Sequence, residues 1–404
     1  MARITGDVCA VNYPPKVYGR TAEEVERVCQ GVVERIFRDR DGLIRSGVNG
    51  RTMRPLEEKD APDRPGGQGC YTECAGTPRR FRAVWLNYEN AGQASGKYIR
   101  AMLAKAAVAR DPRALARARR TFQALVFLWN NVAEQHSYGR GWMPKPYAGP
   151  RDVAEQFECS VDQYADITLG LDAFHRAAAS PAERQTIKEM VLSFADWWME
   201  HDYTAGYMGY CCYWKRLEYA HPIGYFLYLN ALAYSFLPKR KYLDAFNQWM
   251  EISGGLSAPK KQVCINGNGL ALECLQRLIE LRPERRAHWR LCARVCLDNM
   301  IALSQKKYNY PRTRVRMQLN GYLAHHLVAA HAIFPGEGIE KRIAELLASY
   351  RKREDFYHLS RGLKLSDLDP RVAGGDYRNT FWAEGHICWL NAYWSLKRPA
   401  EQEP

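Results

Sequence analysis

The feature that most limits how this chain can fold is the way its helical segments are joined. Apolar residues recur with a period near 3.6 over twelve stretches, roughly 21–38, 87–109, 113–135, 159–178, 182–200, 219–236, 239–252, 267–281, 284–304, 318–333, 337–352 and 380–396. Five joints between them are tight, and each contains a proline: Asp111-Pro112, Ser180-Pro181, Leu237-Pro238, Arg282-Pro283 and Phe334-Pro335. Proline loses nothing by lacking an N–H in the first turn of a helix, so these helices start by a shared device. The alternate connections are long, at 39–86, 136–158, 201–218, 253–266, 305–317 and 353–379. Connections of that length without structure of their own are usually functional.

This alternation is a degenerate repeat of helical hairpins. Short turns on one side and long loops on the other predict a closed ring of six hairpins, an all-α (α/α)6 toroid, with residues 1–404 forming a single domain. An open solenoid of helix pairs is the alternative, but its repeats would be more uniform in length. Residues 39–86 are expected as an insertion on the long-loop face, with a small β-hairpin turning at Val48-Asn49-Gly50. The even-numbered helices read as the inner ring because glycines such as Gly92, Gly96, Gly170, Gly224, Gly267, Gly269 and Gly385 gather near their starts. Glycine weakens a helix, so such a run calls for close approach. The odd-numbered helices carry the charge, as in Arg113–Arg120 and Pro283–Arg290, and read as the outer ring.

Composition narrows the function. Of the twelve cysteines, Cys29, Cys159, Cys264, Cys274, Cys292, Cys296 and Cys388 fall within or beside helical patterns, which reads as reduced thiols and not as a disulfide framework. No apolar leader or membrane-length run is visible, so a cytoplasmic location and no membrane partner are expected. There is no phosphate-binding GxxxxGK[ST] loop and no HExxH, and Cys70 and Cys74 lack a second pair at ligand spacing. Neither a cofactor nor a metal is therefore expected. Lys and Arg outnumber Asp and Glu by 58 to 44, a net charge of +14. The excess is spread over helices and loops, which speaks against nucleic acid and for an anionic small substrate.

In such a ring, polar residues at the even-helix starts converge on one cavity, where helix N-termini also favour anions. Those starts hold Glu89, Asp162, Gln163, Tyr164, Glu218, His221, Tyr225, Asn266, Arg314, Arg378, Trp382, Glu384 and His386. A lone Asn, Asp or Ser there is an ordinary N-cap. Capping uses one side chain per helix, and Glu89, Asp162, His221, Glu384 and His386 together exceed that need. Glycoside hydrolysis requires carboxyl groups across the scissile bond. Asp162 is expected to donate the proton, with Glu89 assisting and His221 as a further catalytic group. Asp166, one turn later, would help Asp162 keep its proton by like-charge repulsion. Gln163, Tyr164, Tyr225, Asn266, Glu384 and His386 are expected to bind sugar hydroxyls. Trp142, Trp214 and Trp382 would stack on sugar faces, and Arg314 and Arg378 would hold a sugar carboxylate.

The segments 85–109 and 159–178 resemble the inner helices of (α/α)6 carbohydrate enzymes, above all the unsaturated glucuronyl and rhamnogalacturonyl hydrolases of glycoside hydrolase families 88 and 105, or a related glucuronidase family. In those families an Asp near an inner-helix start is the general acid/base. Asp162, in Val161-Asp162-Gln163-Tyr164, matches that position, and Glu89 stands where the second acid lies. The resemblance implies a hydrolase of oligosaccharides containing uronic acid. The alternatives are a polysaccharide lyase with His221 or Tyr225 as base, a sugar epimerase using His221 and His386, and a binding scaffold without catalysis.

Overall fold

The computed structural model describes residues 19–49, 52–58, 71–72, 78–79, 83–154, 156, 158–207, 210–216, 219–252, 265–305, 320–349 and 380–397. Among them are α-helices α1 (Ala22–Val32), α2 (Ala91–Ala109), α3 (Pro112–Gln135), α4 (Val161–Ala177), α5 (Pro181–Glu200), α6 (Ala220–Phe236), α7 (Arg240–Ile252), α8 (Ile265–Leu281), α9 (Arg286–Gln305), α10 (Asn320–Ile333), α11 (Ile339–Ser349) and α12 (Glu384–Leu396). Two of the five prolines act as the sequence predicts; Pro283 opens a 3-10 turn before α9, and Pro238 and Pro335 precede the starts of α7 and α11. Pro112 and Pro181 occupy the first turns of α3 and α5, behind Asp111 and Ser180 as caps.

The even helices close on themselves. α2 packs on α4, α4 on α6, α6 on α8, α8 on α10, α10 on α12, and α12 returns to α2. The odd helices lie outside them, α3 on α2, α7 on α6, α9 on α8, α11 on α10 and α1 on α12. This is an (α/α)6 toroid. Burial follows the same division. In α6 nearly every side chain from Ala220 to Ala233 is buried, whereas α3 buries one stripe through Ala114, Ala118, Phe122, Leu125 and Trp129. A helix apolar all round belongs inside, and one with a single apolar face belongs at the perimeter. The closest inner crossing joins α2 to α4. A Cβ at Gly96 would overlap the Asp166 carbonyl, and one at Gly170 would come within 2.7 Å of the Gly96 carbonyl oxygen.

Short strands trim the long-loop face. Gly47–Asn49 (β1), expected as one arm of a local hairpin, pairs antiparallel with Thr380–Trp382 (β6), a stretch that the helical period assigns to the last helix. The contact fastens the first long connection to the entry of α12. Within the 39–86 insertion, Tyr71–Thr72 (β2) and Pro78–Arg79 (β3) form the antiparallel pair. Thr204–Tyr207 (β4) and Tyr210–Tyr213 (β5) make a hairpin between α5 and α6. Cys29, Cys159, Cys274, Cys292, Cys296 and Cys388 are buried free thiols. Among the described residues no helix is long and apolar enough to cross a membrane.

Candidate active site

Four inner helices start without the side-chain cap that opens α1, α3 and α5 on the outer wall. No side chain caps α2 at Asn90, α4 at Ser160, α6 at Tyr219 or α12 at Ala383. Among the described residues, polar groups there are buried without hydrogen-bond partners: Gln93 Nε2, Ser160 Oγ, Gln163 Oε1, His221 Nδ1 and both oxygens of Glu384. Buried polar atoms are usually paired, and these six share one end of the ring.

Three carboxyl groups stand at these starts. Asp162 is in the first turn of α4, is half-buried, and accepts the Gln163 N–H at 3.0 Å. Glu89 precedes α2; Gln163 Nε2 donates to its carbonyl at 2.5 Å, and Lys145 Nζ lies 3.6 Å from its carboxylate. Glu384 opens α12 and is buried. Burial pushes its carboxyl up to about 7; Lys97 opposes this, while Asp166, Asp162 and Glu89 add to it. Glu384 thus feels both other carboxyl groups. His221 lies nearby, half-buried between Tyr219 and Trp214, and burial pulls its imidazole down to about 4 against the pull of Asp162. It is neutral at neutral pH.

Deeper along the axis, the inner helices meet in a paired polar network that sequence reading missed. Arg100 of α2 donates to Asp166 of α4 at 2.5 Å and contacts Glu273 of α8. Lys97 Nζ lies 3.0 Å from the other Asp166 oxygen. His325 and His326 of α10 face the same Glu273 oxygen, His325 at 3.2 Å, and Asn391 of α12 reaches His325 Nδ1 at 2.9 Å. Burial works against an ionised Glu273, yet Arg100, His325 and His326 hold its carboxyl well below the usual range. Glu273, His325 and His326 bring ligating atoms within 4.8 Å of one another, a spacing that would suit a divalent cation. Arg100 already supplies positive charge to this carboxylate, and its guanidinium lies 3.5 Å from His325 Nε2, so the cluster is an ion-paired brace. The signal available in sequence was lone charged residues on otherwise small or apolar inner helices.

Several expected ligand-binding residues serve packing instead. Tyr164 is fully buried; its hydroxyl donates to the Gly141 carbonyl at 2.8 Å and accepts the Met143 N–H at 2.6 Å, which anchors the loop before α4. Tyr225 is fully buried with its hydroxyl 3.3 Å from Thr168 Oγ1. His386 is fully buried between Phe37 and Phe381, its Nδ1 3.2 Å from the Trp382 carbonyl. Trp142 packs against His136 with the rings tilted, and Trp382 joins Leu56 and Leu86 in a small apolar cluster. Without exposed ring faces these side chains offer a sugar nothing to stack on. Trp214 is buried beside His221. Asn266 is half-buried in the first turn of α8, its Oδ1 3.2 Å from His326 Nε2. Asp166 is spent on Lys97 and Arg100 and so does not serve Asp162 as a bare neighbouring charge. Glu218, Arg314 and Arg378 lie outside the described residues.

No protein-family model matches this chain, and comparison with curated proteins gives no match. Among solved structures it is similar to a glycoside hydrolase family 76 mannosidase from Bacteroides thetaiotaomicron VPI-5482, with 10% identity and a TM-score of 0.50, over 93% of this chain and 98% of that one. An unsaturated glucuronyl hydrolase specific for heparin matches with 12% identity over 94% and 97% of the two chains, at a TM-score of 0.30, too low to bear on the fold. At such identity the mannosidase likeness establishes the shared toroid and nothing finer.

Proposed function

We propose that this protein is a glycoside hydrolase that cleaves oligosaccharides containing uronic acid at the rim of its inner ring. The observation that carries this reading is the placement of Glu89, Asp162 and Glu384 at three inner-helix starts, with the charges of Glu89 and Asp162 both bearing on Glu384. General acid–base cleavage of a glycosidic bond needs one protonated carboxyl and one carboxylate. The unpaired Gln93, Ser160, Gln163 and His221 atoms would meet sugar hydroxyls. A fold shared with a family 76 mannosidase fits hydrolysis of glycosides. The acidic sugar is supported by the net charge of +14 and by Arg314 and Arg378 in the segments that lead into α10 and α12.

The test is a panel of uronate-bearing oligosaccharides, with release of reducing ends as the readout. Asp162→Asn should lower turnover by at least about 100-fold, the size of a lost acid–base group, while the fold stays intact. Unchanged turnover removes Asp162 from the mechanism. The neutral His221 supports a second reading, β-elimination with the imidazole taking the proton beside the carboxylate. A product absorbing through a new carbon–carbon double bond would establish that reaction and end the hydrolytic one.

A further inference from the structure

We propose that Glu384 is the proton donor of this site, the role that the sequence pattern gives to Asp162; the proposal rests on the hydrolytic reading above. Glu384 starts α12, which sits between α2 and α10 in the ring. Its side chain is 1% exposed, and neither oxygen meets a donor. A carboxylate there gives up hydration and receives no hydrogen bond in return, so the neutral acid is the form this place tolerates.

The surrounding charges agree. From α2, Lys97 pulls towards ionisation; from α4, Asp166 and Asp162 push against it, and so does Glu89 from the approach to α2. Cys388, one turn along α12, is held in the thiol form by burial. Lys97 is already engaged with Asp166 at 3.0 Å, which leaves Glu384 without a partner of its own. The Asp166–Lys97 pair is therefore what lets the proton stay on Glu384, with a carboxyl that titrates at about 7. An acid of that strength is matched to proton transfer near neutrality.

In the step itself, the Glu384 proton passes to the glycosidic oxygen as the bond from that oxygen to the anomeric carbon breaks, and the bonding pair stays on the oxygen. A water oxygen bonds to the anomeric carbon, and the proton it sheds goes to Asp162. One sugar leaves as an alcohol and the other as a hemiacetal. Glu384 is left ionised and Asp162 protonated, and exchange with solvent restores both.

Two measurements test this on the full chain. Infrared difference spectra between wild-type protein and Glu384→Gln, without ligand, should show a protonated-carboxyl band that vanishes as pH rises through about 7. No such band overturns the proposal, whatever the protein cleaves. Turnover is then compared on an oligosaccharide and on an aryl glycoside of the same sugar, whose leaving group departs without a proton. Glu384→Gln should lose at least about 100-fold on the first and little on the second, and its alkaline limb should disappear. The ratio of the two rates does not depend on how much of the variant is folded. Equal loss on both substrates, or loss on neither, overturns the donor role. Wild-type protein that cleaves neither substrate removes the hydrolytic reading and the donor role with it, while the infrared band still reports whether Glu384 holds a proton.

Discussion

Outer and inner helices begin differently. On the outer wall, α1 and α5 open with full capping boxes, Thr21 with Glu24 and Ser180 with Glu183, and Asp111 accepts the Arg113 N–H at the start of α3. Inside, Asn90, Ser160, Tyr219 and Ala383 make no side-chain cap. Ser160 is the sharpest case, since it is a favoured capping residue in cap position, with an extended backbone and its hydroxyl buried and unpaired. These three outer starts spend polar side chains on stability, whereas the four inner starts do not. The same contrast runs down the axis. Several polar atoms at the rim are unpaired, on Gln93, Ser160, Gln163, His221 and Glu384, while the charged groups below, from Lys97 and Arg100 to Glu273 and Asn391, are linked by ion pairs and hydrogen bonds across five of the inner helices.

The largest effect should come from breaking the lower network. Arg100→Leu removes the cation shared by Asp166 and Glu273 and leaves two buried carboxylates short of a partner. Loss of one member of a buried pair costs about 3–5 kcal/mol. Denaturant titration measures it, and a cost below about 1 kcal/mol would mean that the lower layer is no brace. Asp162→Asn, at the rim, should do the reverse: turnover falls by at least about 100-fold while the unfolding midpoint stays put. A variant that lost stability instead would place Asp162 with the structural carboxylates.

Glu384 sharpens the contrast through pH. Its carboxyl is raised from 4.5 to about 7 in the folded protein. The folded state therefore binds the proton more tightly than the unfolded state does. The stability this contributes is full below about 4.5 and is lost as pH rises through about 7. The span corresponds to roughly 3 kcal/mol. Glu384→Gln, which imitates the neutral acid, should flatten that part of the stability curve. A wild-type curve no steeper than that of the variant would show that Glu384 is not held neutral by its surroundings.

The sequence made the ring legible because its signals are local. Proline in a first turn and glycine at a close crossing depend on a few adjacent residues. The Asp162, Glu89 and Glu384 grouping was also within reach, since all three sit at the starts of predicted inner helices. The division of labour among them was not. Nothing near Glu384 in sequence reveals that Lys97 is taken by Asp166, because the three residues come from three helices. For the same reason Tyr164, Tyr225 and His386 looked like ligand groups, although inner-helix residues face their ring neighbours as often as the cavity. β1 was misjudged because its partner β6 lies more than 300 residues away.

The smallest effect compares one residue type at two helix starts. Ser180→Ala removes a working cap on the outer wall and should cost about 1 kcal/mol. Ser160→Ala, at the equivalent place on α4, deletes a buried hydroxyl that bonds to nothing in the protein and should leave the unfolding midpoint unchanged or slightly higher. Its effect should appear instead as a raised KM, the outcome expected when the hydroxyl bonds the proposed ligand. Equal costs for the two variants would mean that α4 is capped like any outer helix, and the unpaired rim would then lose its clearest member.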